Sequence, residues 1–513
     1  MGHDINIETF VNIFEFYDSE LLNIFLKSLD YNYSYSRNKP SLLGEIEDYY
    51  YFFKLIIDRL KVSQKNGYFF GYKIPKGISE EFDILRFGID YAINVEIKSQ
   101  LPNGGIELVR NQLMRHKYVI GHYCDNSILY AYIRELNELY RLDGESIILV
   151  DMEDLINSIP DNYVLENPLE KISLTDMIIS PYSQITDFAN HKYFLTDEQN
   201  KVKSEILRNN VKKVAIIGSA GTGKSMLLFD IASHFTCQGK KVLLLFCAVL
   251  PNADEISEII GFKVLSIRYF NNIDFSNYDV VLIDEAQRLY EMQYNSLILL
   301  ENELIVFSVD QHQTLHPTEC KLNIEFRLKS IPEVDIQELS KKVRTDKSMA
   351  SFIMKFLNLK AEKVQAENYD KVSVSFFNER IKAREFIDEM CTKENYISIE
   401  LTEYRTKILS RTTRHQIYED SLSVHSVIGQ EYSNVLVPID DHFIYNQDGK
   451  LTSVYPDTYP YIEESCIFEA LTRVKDRLHI VVINNPKLYF TILEILSWKE
   501  DIYYKKSIEN KST

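Results

Sequence analysis

A chain of 513 residues has room for two to four domains at about 100–200 residues each. Hydrophobic residues make up 45% and charged residues 26%, which excludes disorder or a collagen-like repeat for the bulk of the chain. Lys and Arg number 57 against 75 Asp and Glu, a formal net charge of −18. That balance excludes a generally cationic, histone-like coat. It leaves room for a local basic groove, with phosphate contacts that depend on divalent cations or on a narrow channel.

No apolar run reaches the ~18 residues of a membrane span. The start, Met1-Gly2-His3-Asp4, lacks a basic region followed by an apolar stretch, so no signal peptide is expected. Six cysteines are scattered without a CxxC pair or a Cys/His cluster, the pattern of reduced thiols in the cytoplasm. His312 and His316 are four apart, but Pro317 follows and speaks against a zinc-binding helix.

The first part of the chain reads as a small α/β unit. Residues 42–60 carry an apolar stripe at 46, 49, 53, 56, 57 and 60, which predicts a helix. Strands are predicted over 68–74, 82–87 and 92–98, a helix over 106–118, and two or three short strands on to Val150. The strands at 82–87 and 92–98 form a hairpin with a tight turn near Gly88. Glu96 and Lys98 are two apart on a strand and share one face, and Asp83 lies within cross-strand reach. Two carboxylates and an ammonium would converge there. The set suits Mg²⁺-assisted phosphodiester cleavage, with Asp83 and Glu96 binding the metal and Lys98 orienting water or neutralising the transition state. A routine surface pair on a solvated hairpin is the bland alternative. The Tyr49-Tyr50-Tyr51 run reads mainly as helix packing, with base stacking as its other use.

This D…ExK constellation resembles the PD-(D/E)xK nuclease superfamily over about residues 40–150, although Phe82 stands where a Pro is usual. The resemblance implies an upstream helix acid, Glu45 with Glu47 as the alternative. It also implies that Gln112 to His116 is the Q-x-x-x-[YH] element of the RecB-like branch, on a helix packed beside the site.

Prolines at 160, 168 and 181 mark a boundary between 157 and 194. Beyond it strands and helices alternate, the pattern of parallel sheets. Strands are predicted over 214–217, 242–247, 280–284 and 304–309, then over 372–377, 407–410, 422–425, 434–438 and 478–483. Residues 218–225, Gly-Ser-Ala-Gly-Thr-Gly-Lys-Ser, match GxxxxGK[ST] between a strand and a helix. Gly218, Gly221 and Gly223 let backbone N–H groups turn toward phosphate oxygens, Lys224 reaches the β/γ phosphates, and the Ser225 hydroxyl can ligate Mg²⁺. The strand over 280–284 ends in two acids. Asp284 would hold the Mg²⁺ shell and Glu285 would polarise the attacking water.

These motifs resemble superfamily 1 helicases over about residues 190–490, in a compact form similar to the schlafen-like group. Asp284-Glu285-Ala286-Gln287-Arg288 continues the acidic pair. Leu195 to Gln199 looks like the upstream glutamine motif, with Gln199 reading the adenine edge. Asp310 to Gln313 looks like GDxxQ with Val309 in place of Gly, and Gln313 would sense the γ-phosphate. Residues 339–345 look like motif IV with Arg344 as an arginine finger. Residues 426–431 resemble motif V, and residues 470–475 resemble motif VI with Arg473 as the second finger. No motif Ia stands out near 246–248.

The expected fold is therefore α/β: a restriction-endonuclease-like αβα domain with its linker (1–185), then two RecA-like parallel-sheet lobes (186–345 and 346–513). The resemblances imply an ATP-dependent motor coupled to a Mg²⁺-dependent nuclease, with ATP and Mg²⁺ as cofactors and nucleic acid, DNA favoured over RNA, as partner. They imply a setting in prokaryotic antiviral defence or DNA repair and leave room for a partner protein of the same defence system. Two readings stay open beside this one: an ATP-gated nuclease without processive unwinding, and a helicase whose N-terminal domain binds without cutting.

Overall fold

The computed structural model describes residues 4–16, 41–73, 80–171, 179–208, 211–340, 347–361, 369–405, 412–455 and 459–497. No described helix is long and apolar enough to cross a membrane. The chain divides into two compact units. One holds Met1–Ile179 with Thr186–Lys201, and the other holds Ser180–Ile185 with Val202–Thr513. Relative to the boundary read from sequence, the segment bearing Gln199 clusters with the N-terminal unit, while six residues of the linker cluster with the second.

The first unit is a six-stranded sheet in the order β1 to β6: β1 (Tyr68–Lys73), β2 (Glu81–Phe87), β3 (Ala92–Lys98), β4 (Ser127–Ile133), β5 (Glu138–Asp143) and β6 (Ser146–Val150). Only β3 and β4 run parallel, and their connection is helix α3 (Ile106–Gly121). The other pairs are antiparallel. Helices α1 (Ile7–Phe16) and α2 (Ser41–Ile56) cover one face. The stripe Ile46, Tyr49, Phe53 and Ile56 packs there against Ile93, Val95 and Ile97 of β3. Val109, Leu113 and Ile120 of α3 pack with Leu85, Ala92 and Leu129 in a second core. β3 is thus buried on both faces, and the alternation of its side chains leaves Asn94, Glu96 and Lys98 on one line. The Gly88 turn closes with a bond from Gly88 N–H to the Tyr91 carbonyl at 2.9 Å.

The second unit holds two all-parallel sheets, consistent with the RecA-like lobes expected of residues 186–513. The first runs β12-β7-β11-β10-β8-β9, with β7 (Lys213–Gly218), β8 (Val242–Phe246), β9 (Lys263–Ser266), β10 (Val280–Asp284), β11 (Leu304–Val309) and β12 (Val334–Leu339). Its central strands are continuous apolar runs, fully buried on both faces, as a parallel sheet covered by helices requires. The second contains β13 (Val372–Phe377), β14 (Ile397–Glu400), β15 (Leu422–Ser423), β16 (Tyr432–Ile439) and β17 (Val474–Ile483). Strand β9, strand β12 and strand β14 were not expected from the sequence. The predicted strand over 407–410 lies outside the described residues, and the one over 422–425 is two strand residues followed by a tight helical turn.

Candidate functional sites

The acid site of the first unit forms where the β2–β3 ladder opens. Pairing runs from Phe87↔Ala92 to Ile84↔Val95 and stops before Asp83. Past that point, backbone N–H groups need other partners. The carboxylates supply them: Ile97 N–H donates to Asp83 Oδ2 (2.8 Å), and Asp83 N–H donates to Glu96 Oε1 (3.3 Å). The same opening that frees the backbone therefore draws the two acids together. Lys98 Nζ lies 3.4 Å from Glu96 Oε2 and 3.8 Å from Asp83 Oδ2. The structure thus brings Asp83, Glu96 and Lys98 into one cluster. Gln112 from α3 donates to Glu96 Oε2 at 2.6 Å, and Tyr49 from α2 donates to Asp83 Oδ1 at 3.3 Å.

A charged relay sits behind Glu96. His116 is wholly buried, with Nδ1 3.2 Å from Glu96 Oε1 and Nε2 3.2 Å from Glu80 Oε2. Arg115 Nε donates to Glu80 at 2.8 Å. Burial alone would hold Glu96 protonated. The charges of His116 and Lys98 and the hydrogen bonds from His116 and Asn94 outweigh it and lower the pKa to about 2. Burial likewise opposes a charge on His116, but Glu96 and Glu80 raise its pKa to about 9. Two oxygen-bearing acids side by side, one of them held ionised, fit a hard divalent cation such as Mg²⁺.

The helix acid expected upstream is not settled in favour of either expected residue. Glu45 lies on α2, with its side chain outside the described residues, and Glu47 is exposed. The buried acid of that helix is Asp48, whose oxygens accept from Ser99 Oγ (2.6 Å) and Arg134. Within the tyrosine run, Tyr49 is buried, Tyr50 stacks on Phe14 with ring centroids 4.4 Å apart, and Tyr51 lies under the Arg134 guanidinium.

The phosphate loop of the second unit joins β7 to the helix Lys224–Cys237. Gly221 and Gly223 have φ of 81° and 79°, the left-handed conformation that turns backbone N–H groups inward at little cost only without a Cβ. Lys224 Nζ donates to the Gly218 carbonyl (2.7 Å) and lies 3.9 Å from Asp310 Oδ2, a buried oxygen with no hydrogen-bond partner. Asp284, at the end of β10, accepts from Ser308, from Glu285 N–H (3.0 Å), from Tyr182 (2.7 Å) and from Ser225, bonds that favour its charged form. The burial of Asp284 and the charge of Glu285 push its carboxyl up all the same. Burial also disfavours the Glu285 carboxylate, but Arg288, Lys224 and Arg473 together bring its pKa below the usual value. A hydroxyl beside an acid at a loop of inward N–H groups fits Mg²⁺ and a nucleotide phosphate chain.

The two halves of this unit meet at Glu469. Gln313 Nε2 donates to Glu469 Oε2 (3.0 Å), Arg288 NH2 lies 3.5 Å from the same oxygen, and Arg473 NH2 lies 3.5 Å from Oε1. Arg473 faces a cavity lined by Ala220 and Gly221 of the phosphate loop and by Glu431, Phe468 and Thr472. Gly429 of the motif V stretch has φ 75°. His425 bonds Thr402 Oγ1 (2.7 Å) and packs on Tyr461, and burial pulls its pKa down to about 4. His312 and His316 sit on a short turn and at a helix N-cap, as loop residues should. Gln199, in the first unit, uses Oε1 to accept from Thr196 N–H (2.8 Å), a helix cap. Arg344 falls within 341–346, outside the described residues.

Sequence reasoning missed Tyr49, Glu80, Tyr182, Arg288 and Glu469 as site residues. Glu469 carried one usable signal: it stands four residues before Arg473, so helical spacing puts the two on one face. Tyr182 carried none.

No curated protein matches the chain. Among solved structures it is similar to unliganded Pif1 from Bacteroides sp, at 11% identity and a TM-score of 0.31, covering 60% of this chain and 98% of that one. The Bacteroides Pif1 helicase in complex with ADP-AlF3 and ssDNA gives 11% identity, a TM-score of 0.31 and coverage of 56% and 92%. Pif1 helicase from Candida albicans gives 13%, 0.29 and coverage of 62% and 99%. At such scores the likeness by itself decides neither fold nor function. Residues 212–402 match the family described as Schlafen group 3, DNA/RNA helicase domain, and this match, spanning less than half of the chain, supports a helicase-type domain around the phosphate loop.

Proposed function

We propose that the chain is an ATP-driven nucleic-acid motor of superfamily 1 type coupled to a Mg²⁺-dependent nuclease that acts on DNA. The observation that carries the motor is the meeting of Gln313, Arg288 and Arg473 on Glu469 across the two halves, beside a phosphate loop of full pattern. Lys224 and the inward N–H groups bind the β/γ phosphates. Ser225 and Asp284 would hold Mg²⁺, which would supply charge neutralisation on the phosphates. Glu285 orients and accepts a proton from the attacking water, and Arg473 faces the charge that develops on the transferred phosphoryl group. Loss of the γ-phosphate removes the anion that Arg473 shares with Lys224, so Arg473 falls back on Glu469 beside Gln313. Each turnover thereby shifts one half against the other.

The clustering of Asp83, Glu96 and Lys98 where their strands part supports the nuclease. Asp83 and Glu96 hold a divalent cation that supplies positive charge at the scissile phosphate. Lys98 orients water or meets the developing charge, while His116, Asn94 and Gln112 keep Glu96 in place. The RecB-like pattern around Gln112 supports DNA as substrate, the scattered cysteines support the cytoplasm, and the resemblance of a motor–nuclease fusion to defence proteins supports an antiviral setting. The compactness of both halves favours a second reading, in which ATP licenses the nuclease without processive unwinding.

Two measurements test the proposal. ATP turnover should rise with single-stranded DNA over the rate without it, and more than with RNA; a rate indifferent to every nucleic acid overturns the motor. Wild-type protein should cut DNA with Mg²⁺ and Lys98→Ala should cut it far more slowly; equal cutting, or none by the wild type, leaves the N-terminal unit as a binding module. Strand displacement on a forked duplex separates the motor from the ATP-gated reading.

A further inference from the structure

The segment Ser180–Ile185 belongs to the linker by sequence, yet it clusters with the second unit. Its Tyr182 is wholly buried, with its ring 5.0 Å from Phe229 of the phosphate-loop helix and 4.5 Å from Phe246 at the end of β8. The hydroxyl donates to Asp284 Oδ2 at 2.7 Å. Burial and the neighbouring carboxylates push this phenol well above its ordinary range, so it remains a donor.

Ser225 also bonds Asp284, and two further donors hold one oxygen of the carboxylate. Ser308 and Glu285 N–H both address Oδ1. A carboxylate held at one oxygen can still swing about that point, whereas a donor on the second oxygen fixes its plane. Tyr182 is a donor on Oδ2. Side chains on either side of it are tied to the far half of the unit: Ser180 Oγ donates to the Gly429 carbonyl (3.0 Å), and Lys475 Nζ, two residues after Arg473, donates to Gln184 Oε1 (2.7 Å). Gly429 leaves the room for it, since a Cβ there would lie 3.1 Å from the Tyr182 ring and 3.0 Å from Phe246.

Building on the motor reading, we infer that Tyr182 is a positioning residue of the ATP site: its hydroxyl orients the Asp284 carboxylate for Mg²⁺, and the Ser180–Ile185 strap anchors that hydroxyl to both halves of the motor. The strap lies between two stretches, up to Ile179 and from Thr186, that cluster with the N-terminal unit.

The test is a binding titration on the full chain, with a fluorescent ADP as probe, measured without Mg²⁺ and across Mg²⁺ concentrations. Tyr182→Phe keeps the ring and its packing. It should raise the Mg²⁺ concentration for half-maximal tightening about tenfold, the loss expected for one hydrogen bond to a charged group, and leave the Mg²⁺-free affinity unchanged. An unchanged Mg²⁺ requirement overturns the inference. So does a lowered one, which makes the hydroxyl a competitor of the ion, and so does equal weakening with and without Mg²⁺, which makes it packing only. If wild-type protein binds no ADP, the motor reading falls and takes this inference with it.

Discussion

The two acid sites contain the same chemical groups and treat them in opposite ways. Glu96 and Asp284 are both wholly buried, and burial alone would protonate both. Glu96 is ringed by cations, His116 and Lys98, and its pKa falls to about 2. Asp284 has an acid, Glu285, as its sequence neighbour, and its carboxyl is pushed up. Glu96 therefore stays ionised across the neutral range, before any cation arrives. At the proposed ATP site Asp284 and Glu285 form a like-charged pair, eased on the Glu285 side by the cations around it, that a bound Mg²⁺ would relieve further. On the proposed roles, one site is charged before its ligand arrives, and the other would gain stability from its ligand.

That contrast can be broken most sharply at the ATP site. Lys224→Ala should lower ATP turnover by at least about 10³-fold, because no other cation on the loop reaches the β/γ phosphates. Glu285→Gln should lower it by about 10²–10⁴-fold while nucleotide stays bound, since the variant removes the base and also half of the like-charge pair. Turnover equal to wild type in that variant takes away the role given to Glu285. At the other site, Lys98→Ala should reduce Mg²⁺-dependent DNA cleavage by about 10²-fold and leave ATP turnover as it was. A parallel loss of both activities would mean that the variant unfolds the chain rather than disarming one centre.

Much of this was legible because the chemistry sits on local patterns. The phosphate loop, the acidic end of β10 and the ExK strand each occupy a few consecutive residues, and the hairpin that brings in Asp83 is set by the short turn at Gly88. What escaped was contact between distant parts. Glu469 matters because two arginines and a glutamine from different elements meet on it, and no spacing encodes that. Tyr182 lies 102 residues before its partner Asp284, in a stretch that reads as linker. Asp48 was passed over for its neighbours Glu45 and Glu47, because the face of a helix that is buried depends on what packs there. The edge strands β9 and β12 were missed because their apolar runs are short and only partly buried.

The smallest effect tests the pre-charged site through its relay. His116 has a folded pKa of about 9 against an ordinary 6.5. Its charge therefore stabilises the fold fully below pH 6.5, and that contribution fades as pH rises toward 9. Glu96 and Glu80, both lowered to about 2 from 4.5, act in the opposite sense: their contribution is complete above pH 4.5 and is lost as pH falls toward 2. The cluster is accordingly strongest between pH 4.5 and 6.5. Because each ion pair counts once, the loss between pH 6.5 and 9 comes to about 3 kcal/mol. Hydrogen exchange along the helix Ile106–Gly121, corrected for the intrinsic pH dependence of exchange, should show protection declining over that interval in the wild type. In His116→Gln the decline should vanish, with lower protection at pH 6 and near-equal protection at pH 9. A wild-type helix as well protected at pH 9 as at pH 6.5, or a variant with the same decline, would mean that the imidazole is neutral in the fold and that Glu96 owes its charge to Lys98 alone.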